Sequence, residues 1–293
     1  MTRARTWLAN PWGKPRFLWV VTGAYLAWSI VPILIAIRFS FNEGRSRSTA
    51  QGWSTRWYWG DPELSVAHDP DLYNALLQSL KLAALAILIS VPLGVALSIG
   101  LTRWRGRGSG SARFITLFPL VTPELVMGVA LFLVFTNVFT SISLGTTAQV
   151  IGHVTFSITF VVIIVRGRLL SIGKDYEEAA MDLGASAVGA LRLALLPLLV
   201  PAIVASAIVV FAISMDDFVI SAYLSSSAGT ETVPVKIYSN ARGAPTPALN
   251  ALASVTLFAT VLVGAAMFAL WSLFRRGQGD QGSGVDDLAR LEA

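Results

Sequence analysis

Long apolar runs, each separated from the next by a short polar stretch, set the pattern of this chain. A helix rising 1.5 Å per residue needs about 20 mainly apolar residues to cross roughly 30 Å of hydrocarbon. Six runs reach that length: Phe17–Phe41, Leu72–Leu101, Phe114–Asn137, Thr147–Val165, Leu198–Leu224 and Ala248–Phe274. Between Arg113 and Arg166 the only charge is Glu124, and between Arg242 and Arg275 there is none. The pattern predicts an all-α polytopic membrane protein with about six transmembrane helices. The first run follows Arg3, Arg5, Lys14 and Arg16. It is longer than a signal-peptide core and carries no small-x-small cleavage site before Arg38, so it reads as an uncleaved signal anchor.

Composition closes off the other classes. The 293 residues are 54% hydrophobic and 13% charged, where a soluble domain carries about 25% charged residues. So apolar a chain neither forms a water-facing surface nor stays solvated as a disordered one. Cysteine is absent and the only histidines are His68 and His153, which removes disulfide frameworks, thiolate chemistry and a multi-histidine metal site. No metal or other cofactor is expected. The net charge of +5 suggests nucleic acid until the basic residues are sorted by position. With a cytoplasmic N-terminus, fifteen Lys and Arg fall in inside segments and five (Arg45, Arg47, Arg56, Lys236, Arg242) outside. That is a positive-inside bias with both termini cytoplasmic, and no nucleic acid partner is called for. The expected division is a cytoplasmic segment 1–16, a transmembrane domain 17–274 with a long cytoplasmic segment 166–197, and a cytoplasmic tail 275–293.

The loops differ in character. Asn42–Asp71 is long and holds Trp53, Trp57, Tyr58 and Trp59 with five acids. It reads either as an interfacial element of the aromatic belt or as a docking surface for an outside partner. Thr102–Ala112, rich in Arg, Gly and Ser, reads as a cytoplasmic turn. The polar, Gly-rich tail beyond Arg276 is expected to be disordered up to a short helical end.

The segment between the fourth and fifth runs is longer than a turn requires and reads as helix, turn, helix. Asp175, Glu177 and Glu178 suit the positive end of a helix. Tyr176, Ala180 and Leu183 fall at i, i+4 and i+7 as one apolar stripe. Gly184 stands where a left-handed residue ends a helix, Ser186 caps the next, and Pro197 interrupts or redirects it. With a small-residue face at Ala179 and Ala180, this helix packs closely either on its own bundle or on another chain. The series Glu178-Ala179-Ala180, Gly184 and Leu196-Pro197 resembles the EAA motif of the membrane subunits of ATP-binding-cassette importers, with Ala194 where isoleucine is usual. The resemblance implies the fold of type I importer permeases (MetI-like). It also implies a coupling helix seated in an ATPase groove. Tyr176, Ala180 and Leu183 would form its buried face beside the small Ala179, Glu178 would meet basic or hydroxyl groups of the ATPase, and Gly184 would fix the turn.

Ionisable groups at membrane depth cost about 2.5–3.5 kcal/mol each and usually serve function. Glu124, after Pro119 and Pro123, and Asp216 with Asp217 are the three acids so placed. They suit a cation pathway. The alternatives are a hydrated Glu124 near its span's cytoplasmic end, and aspartates at the interface or paired with a companion subunit. Which aspartate faces the pathway is open, since helical neighbours point about 100° apart. His153 reads as a hydrogen-bonded packing histidine with a pH-sensitive role as the alternative, and Lys81 as a snorkelling or paired side chain. Pro119–Leu131, Gly152-His153, Ser214–Ser221, Thr232–Ser239 and Pro247–Leu252 are together similar to the spermidine/putrescine importer permeases of the PotC type. That resemblance implies polyamine as substrate class, with permeases for other solutes as the alternative. It also implies a bacterial inner-membrane assembly of two permease chains, the second a paralogue, with two ATPase copies and an extracytoplasmic substrate-binding protein.

Three function classes then compete. No G-x-x-x-x-G-K-[ST] loop is present, so an importer subunit would leave ATP hydrolysis to another chain and would itself be no enzyme. A self-sufficient secondary transporter leaves the EAA-spaced segment without purpose and would show inverted repeats. An intramembrane enzyme lacks H-E-x-x-H and G-x-S-x-G. The importer subunit accounts for the most features.

Overall fold

The apolar runs fold as helices because no other backbone arrangement available to them satisfies its own hydrogen bonds in hydrocarbon. The structure, a computed structural model, describes residues 16–46, 49–103, 106–242 and 246–279. Residues 1–15 of the expected N-terminal segment, 280–293 of the expected tail, and the basic residues Arg47 and Arg105 lie outside the described residues. Among the described residues every regular element is helical.

The long helices are α1 (Arg16–Ser40), α2 (Pro70–Arg103), the bent pair α3 (Ser109–Val121) and α4 (Glu124–Asn137), α5 (Thr146–Ile172), α7 (Ala187–Asp216) and α10 (Pro247–Gly279). Shorter ones are α6 (Asp175–Asp182), α8 (Val219–Leu224) and α9 (Val233–Arg242). Five helices are long and apolar enough to cross a membrane, six with the bent pair, which matches the six runs in the sequence.

Three details depart from the sequence reading. The third run is not one straight helix: α3 and α4 meet at 106°. Pro123 has no amide proton and forces Thr122 into an extended conformation, ψ 126°, as a residue before proline prefers. The fifth run ends early. Helix stops at Asp216 and restarts as α8, because the Asp217 carboxylate accepts from the Ser221 N–H at 2.8 Å and caps the new helix. Pro197 does not interrupt anything. A π turn over Leu191–Leu195 precedes it, widening the helix so that a residue without an N–H is accommodated, and α7 runs unbroken for 30 residues.

The core lies where α2, α5 and α7 cross. Val95, Val161, Val165, Leu195 and Leu199 are buried there. Gly94 permits the contact, since a Cβ on it would stand 2.6 Å from the Val161 Cβ. A second cluster packs α8 onto α4 and α5 through Met127, Phe135, Ala148, Ile220 and Leu224. The Asn42–Asp71 loop is not loose. Trp57 is fully buried against α2, α9 and α10 and donates its indole N–H to the Asn42 carbonyl at 2.6 Å, while Trp53 and Trp59 remain exposed. Helix α1 rests against α10, and every residue from Phe17 to Ile35 is exposed.

Candidate functional site

Both helix breaks deliver acids to one place. Glu124 is the first residue of α4, where the helix's positive end favours a carboxylate. Asp217 sits at the break between α7 and α8, buried to 6% exposure. The Glu124 carboxyl stands close enough to Asp217 for the two charges to interact. Behind them stands His153 of α5, 3% exposed. Its Nε2 lies 3.2 Å from Asp217 Oδ2 and 3.0 Å from Ser221 Oγ, and its Nδ1 lies 2.7 Å from Ser214 Oγ. The Ser221 hydroxyl in turn donates to Asp217 Oδ2 at 2.7 Å. An Nε2–H imidazole with Ser214 donating to Nδ1 satisfies every one of these atoms.

Asp217 is thus compensated from several directions, whereas Glu124 is only half-buried and keeps acceptor capacity for a ligand. Two carboxyls this near each other favour a cation beside them, because uncompensated like charges at low dielectric repel strongly. The arrangement therefore offers a compact acidic clasp suited to an ammonium group.

Asp216 stands to one side of that pair, near enough for its charge to act on Glu124. It is exposed and opens into a cavity of about 480 Å³ bounded by Met215, Val233, Ile237, Thr256 and Thr260 of α7, α9 and α10. Of the three acids singled out in the sequence, the structure brings Glu124 and Asp217 together and leaves Asp216 on another face of the helix.

Sequence reasoning weighed His153 alone and missed it as the partner of Asp217. The separation of 61 residues between His153 and Ser214 hides the contact from any local pattern. It also missed Gln149, one turn before His153. The Gln149 amide accepts from Gln78 Nε2 at 2.8 Å and donates to the Ser221 and Thr230 carbonyls, holding α8 and the turn after it against α5. Gly152 between them keeps that face close, since a Cβ there would lie 2.6 Å from Ile220 Cγ2.

At the opposite end of α5 the coupling segment folds as its residues dictate. Helix α6 carries Asp175, Glu177 and Glu178 in its first turn. Gly184, φ +89°, closes it, with Gly184 N–H on Met181 O and Ala185 N–H on Ala180 O, the paired bonds of a left-handed helix stop. Ser186 accepts from the Gly189 N–H at 3.1 Å and starts α7. Tyr176, Glu178, Ala179 and Leu183 are exposed and Ala180 is half-buried. Leu183 is 90% exposed, so the apolar stripe does not lie on its own bundle.

Comparison with known proteins places these features. Residues 90–278 match the family described as binding-protein-dependent transport system inner membrane component. The chain is 34% identical over 252 residues to the putrescine transport system permease protein PotI of Escherichia coli K12, covering 84% of this chain and 86% of that one. It is 33% identical over 240 residues to the spermidine/putrescine transport system permease protein PotC of the same strain, covering 82% and 88%. Among solved structures, a bacterial ABC transporter that imports the acidic polysaccharide alginate superposes with a TM-score of 0.68 at 13% identity, covering 87% of this chain and 94% of that one. The MetNI methionine ABC transporter in an inward-facing conformation gives 0.53 at 18% identity, covering 68% and 91%. At those identities the likeness concerns the fold.

Proposed function

We propose, given that this chain belongs to the family of binding-protein-dependent transport system inner membrane components, that it is the permease subunit of an ABC importer that admits polyamines. Membership makes it a multi-pass inner-membrane permease. The observation that carries the substrate is the Glu124–Asp217 pair backed by His153, in a chain whose relatives at 33–34% identity carry putrescine and spermidine in their names. A polyamine presents primary ammonium groups, and a charge-assisted hydrogen bond contributes about 1.5–3 kcal/mol. Glu124 receives the ammonium, Asp217 adds the second charge, and His153 with Ser221 keeps Asp217 oriented. Asp216 adds its charge to the field at Glu124 and borders the neighbouring cavity.

The pathway runs between this chain and a paralogous permease, with two copies of an ATPase on the cytoplasmic face and a substrate-binding protein outside. Fifteen basic residues against five support both termini in the cytoplasm. The stripe of exposed Tyr176 and Leu183 with half-buried Ala180, beside exposed Ala179 and Glu178, supports α6 as the element seated on the ATPase, and the left-handed Gly184 as the turn that passes its movement to α7.

The test is uptake of labelled putrescine and spermidine by the reconstituted complex. Glu124→Gln and Asp217→Asn are expected to lower uptake at least ten-fold with the complex assembled, and Asp216→Asn to lower it less. Assembly lost in step with uptake would make the pair structural, and undiminished uptake in Glu124→Gln would remove it from the pathway.

A further inference from the structure

Arg103, the last residue of α2, reaches across to the coupling segment. Its Nη2 donates to the Glu177 carboxylate in the first turn of α6 and, at 3.3 Å, to the Gly173 carbonyl. Gly173, φ +75°, is the joint between α5 and α6. One guanidinium therefore holds both the joint and the helix that follows it. The pair is partly buried, at 23% and 17% side-chain exposure, so solvent screens it less than an open surface pair. Otherwise α6 rests on the start of α7.

The other end of α2 is tied by a pair whose acid is more open to solvent. Asp71, in its first turn, accepts from Lys236 Nζ of α9 at 2.7 Å, and Glu231 stands 3.6 Å from the same ammonium. Burial alone would lower the Lys236 pKa, yet the Asp71 and Glu231 carboxylates hold it above its ordinary value. Between these two ties α2 runs 34 residues, about 51 Å at 1.5 Å per residue. Its middle is locked into the α2–α5–α7 core, with Gly94 against Val161.

We infer that Arg103 is a positioning residue that makes α2 a strut between the coupling helix and the far face of the protein. When α6 is displaced, the Arg103–Glu177 pair draws α2 with it, and the Asp71–Lys236 pair delivers the movement to α9 beside the cavity that Asp216 lines. Displacement of α6 thus has a route across the membrane parallel to the one through α7. This rests on α6 being the ATPase-contacting element.

The experiment uses the whole complex in proteoliposomes and reads putrescine imported per ATP hydrolysed, with co-purification of the ATPase as the measure of assembly. Arg103→Ala and Glu177→Ala are each expected to lower the ratio about five-fold or more. The reversed pair Arg103→Glu with Glu177→Arg is expected to recover most of it, and Asp71→Asn to lower it from the far end. A ratio unchanged by Arg103→Ala and Asp71→Asn in assembled complexes overturns the strut, as does a reversed pair no better than either single reversal. Failure of the unmodified chain to retain an ATPase at all would overturn the reading of α6 and the strut with it.

Discussion

Asp216 and Asp217 are adjacent in sequence and face different surroundings: one opens to a cavity between α7, α9 and α10, the other is enclosed by His153, Ser221 and Glu124. The sequence marks both as costly at membrane depth, and burial cost alone cannot say where each points. The break after Asp216 decides that. A simpler case is Asp61 in the Trp-rich loop, 5% exposed. The Leu64 N–H, the Arg56 guanidinium at 2.6 Å and the Glu63 N–H hold its carboxyl below the usual carboxylate range. A depressed folded pKa stabilises the loop above the unfolded pKa, near 4, and that contribution is lost as pH falls through the folded value. Acid titration of tryptophan fluorescence is therefore expected to show the loop loosening below about pH 4. Asp61→Asn is expected to flatten that acid limb and to lower stability at neutral pH by about 1–3 kcal/mol. An acid limb identical in the variant would show that Asp61 does not hold the loop. What sequence reading lacked at this scale was partners. Glu124, Asp217 and the aromatic residues were visible, whereas His153, Gln149 and Arg103 acquire meaning only through contacts many residues away.

The coupling helix is the element the sequence describes best, since everything that defines it is local: acids in its first turn, a glycine stop, a serine cap. The bent third span and the divided fifth were read as single runs, because hydropathy records how much of a segment avoids water and not its direction. Pro123 was a usable sign for the first break. The second has neither Pro nor Gly and depends on Asp217 capping α8 under the hold of α5. Gly184 supplies a prediction at this scale. With φ +89°, a β-branched residue is strained there by about 1–2 kcal/mol, while nothing lies within 4 Å of an added Cβ. Gly184→Val is expected to leave the chain inserted at normal abundance and to uncouple ATP hydrolysis from transport, since the strain falls on the turn and not on packing. Unchanged transport at normal abundance would sink the role given to that turn.

For the molecule as a whole, six apolar runs and a positive-inside bias were enough to give the all-helical membrane fold, and the EAA-spaced segment gave the importer family. They did not reveal how unequally the helices are buried. Helices α2, α5 and α7 make the core, while α1 is exposed along most of its length. The bent pair has a consequence for how the chain is made. At 13 and 14 residues, α3 and α4 each extend only about 20 Å, short of the roughly 30 Å a bilayer demands, and their junction carries Glu124. Released alone from the insertion machinery, the pair would expose a carboxyl and a bent backbone to lipid. The surface that covers Gly128, Val219 with Tyr223, is translated some ninety residues later. The pair is therefore expected to settle in the membrane only once α8 has emerged. Because the chain has no cysteine, a single cysteine at Met127, which packs with Ile220 and Leu224 of α8, reports this through thiol labelling of nascent chains. It should be reactive in chains from which Asn137 but not Val219 has left the ribosome and protected once Leu224 has left it too, and equal protection in both would mean that the pair settles without its later partner.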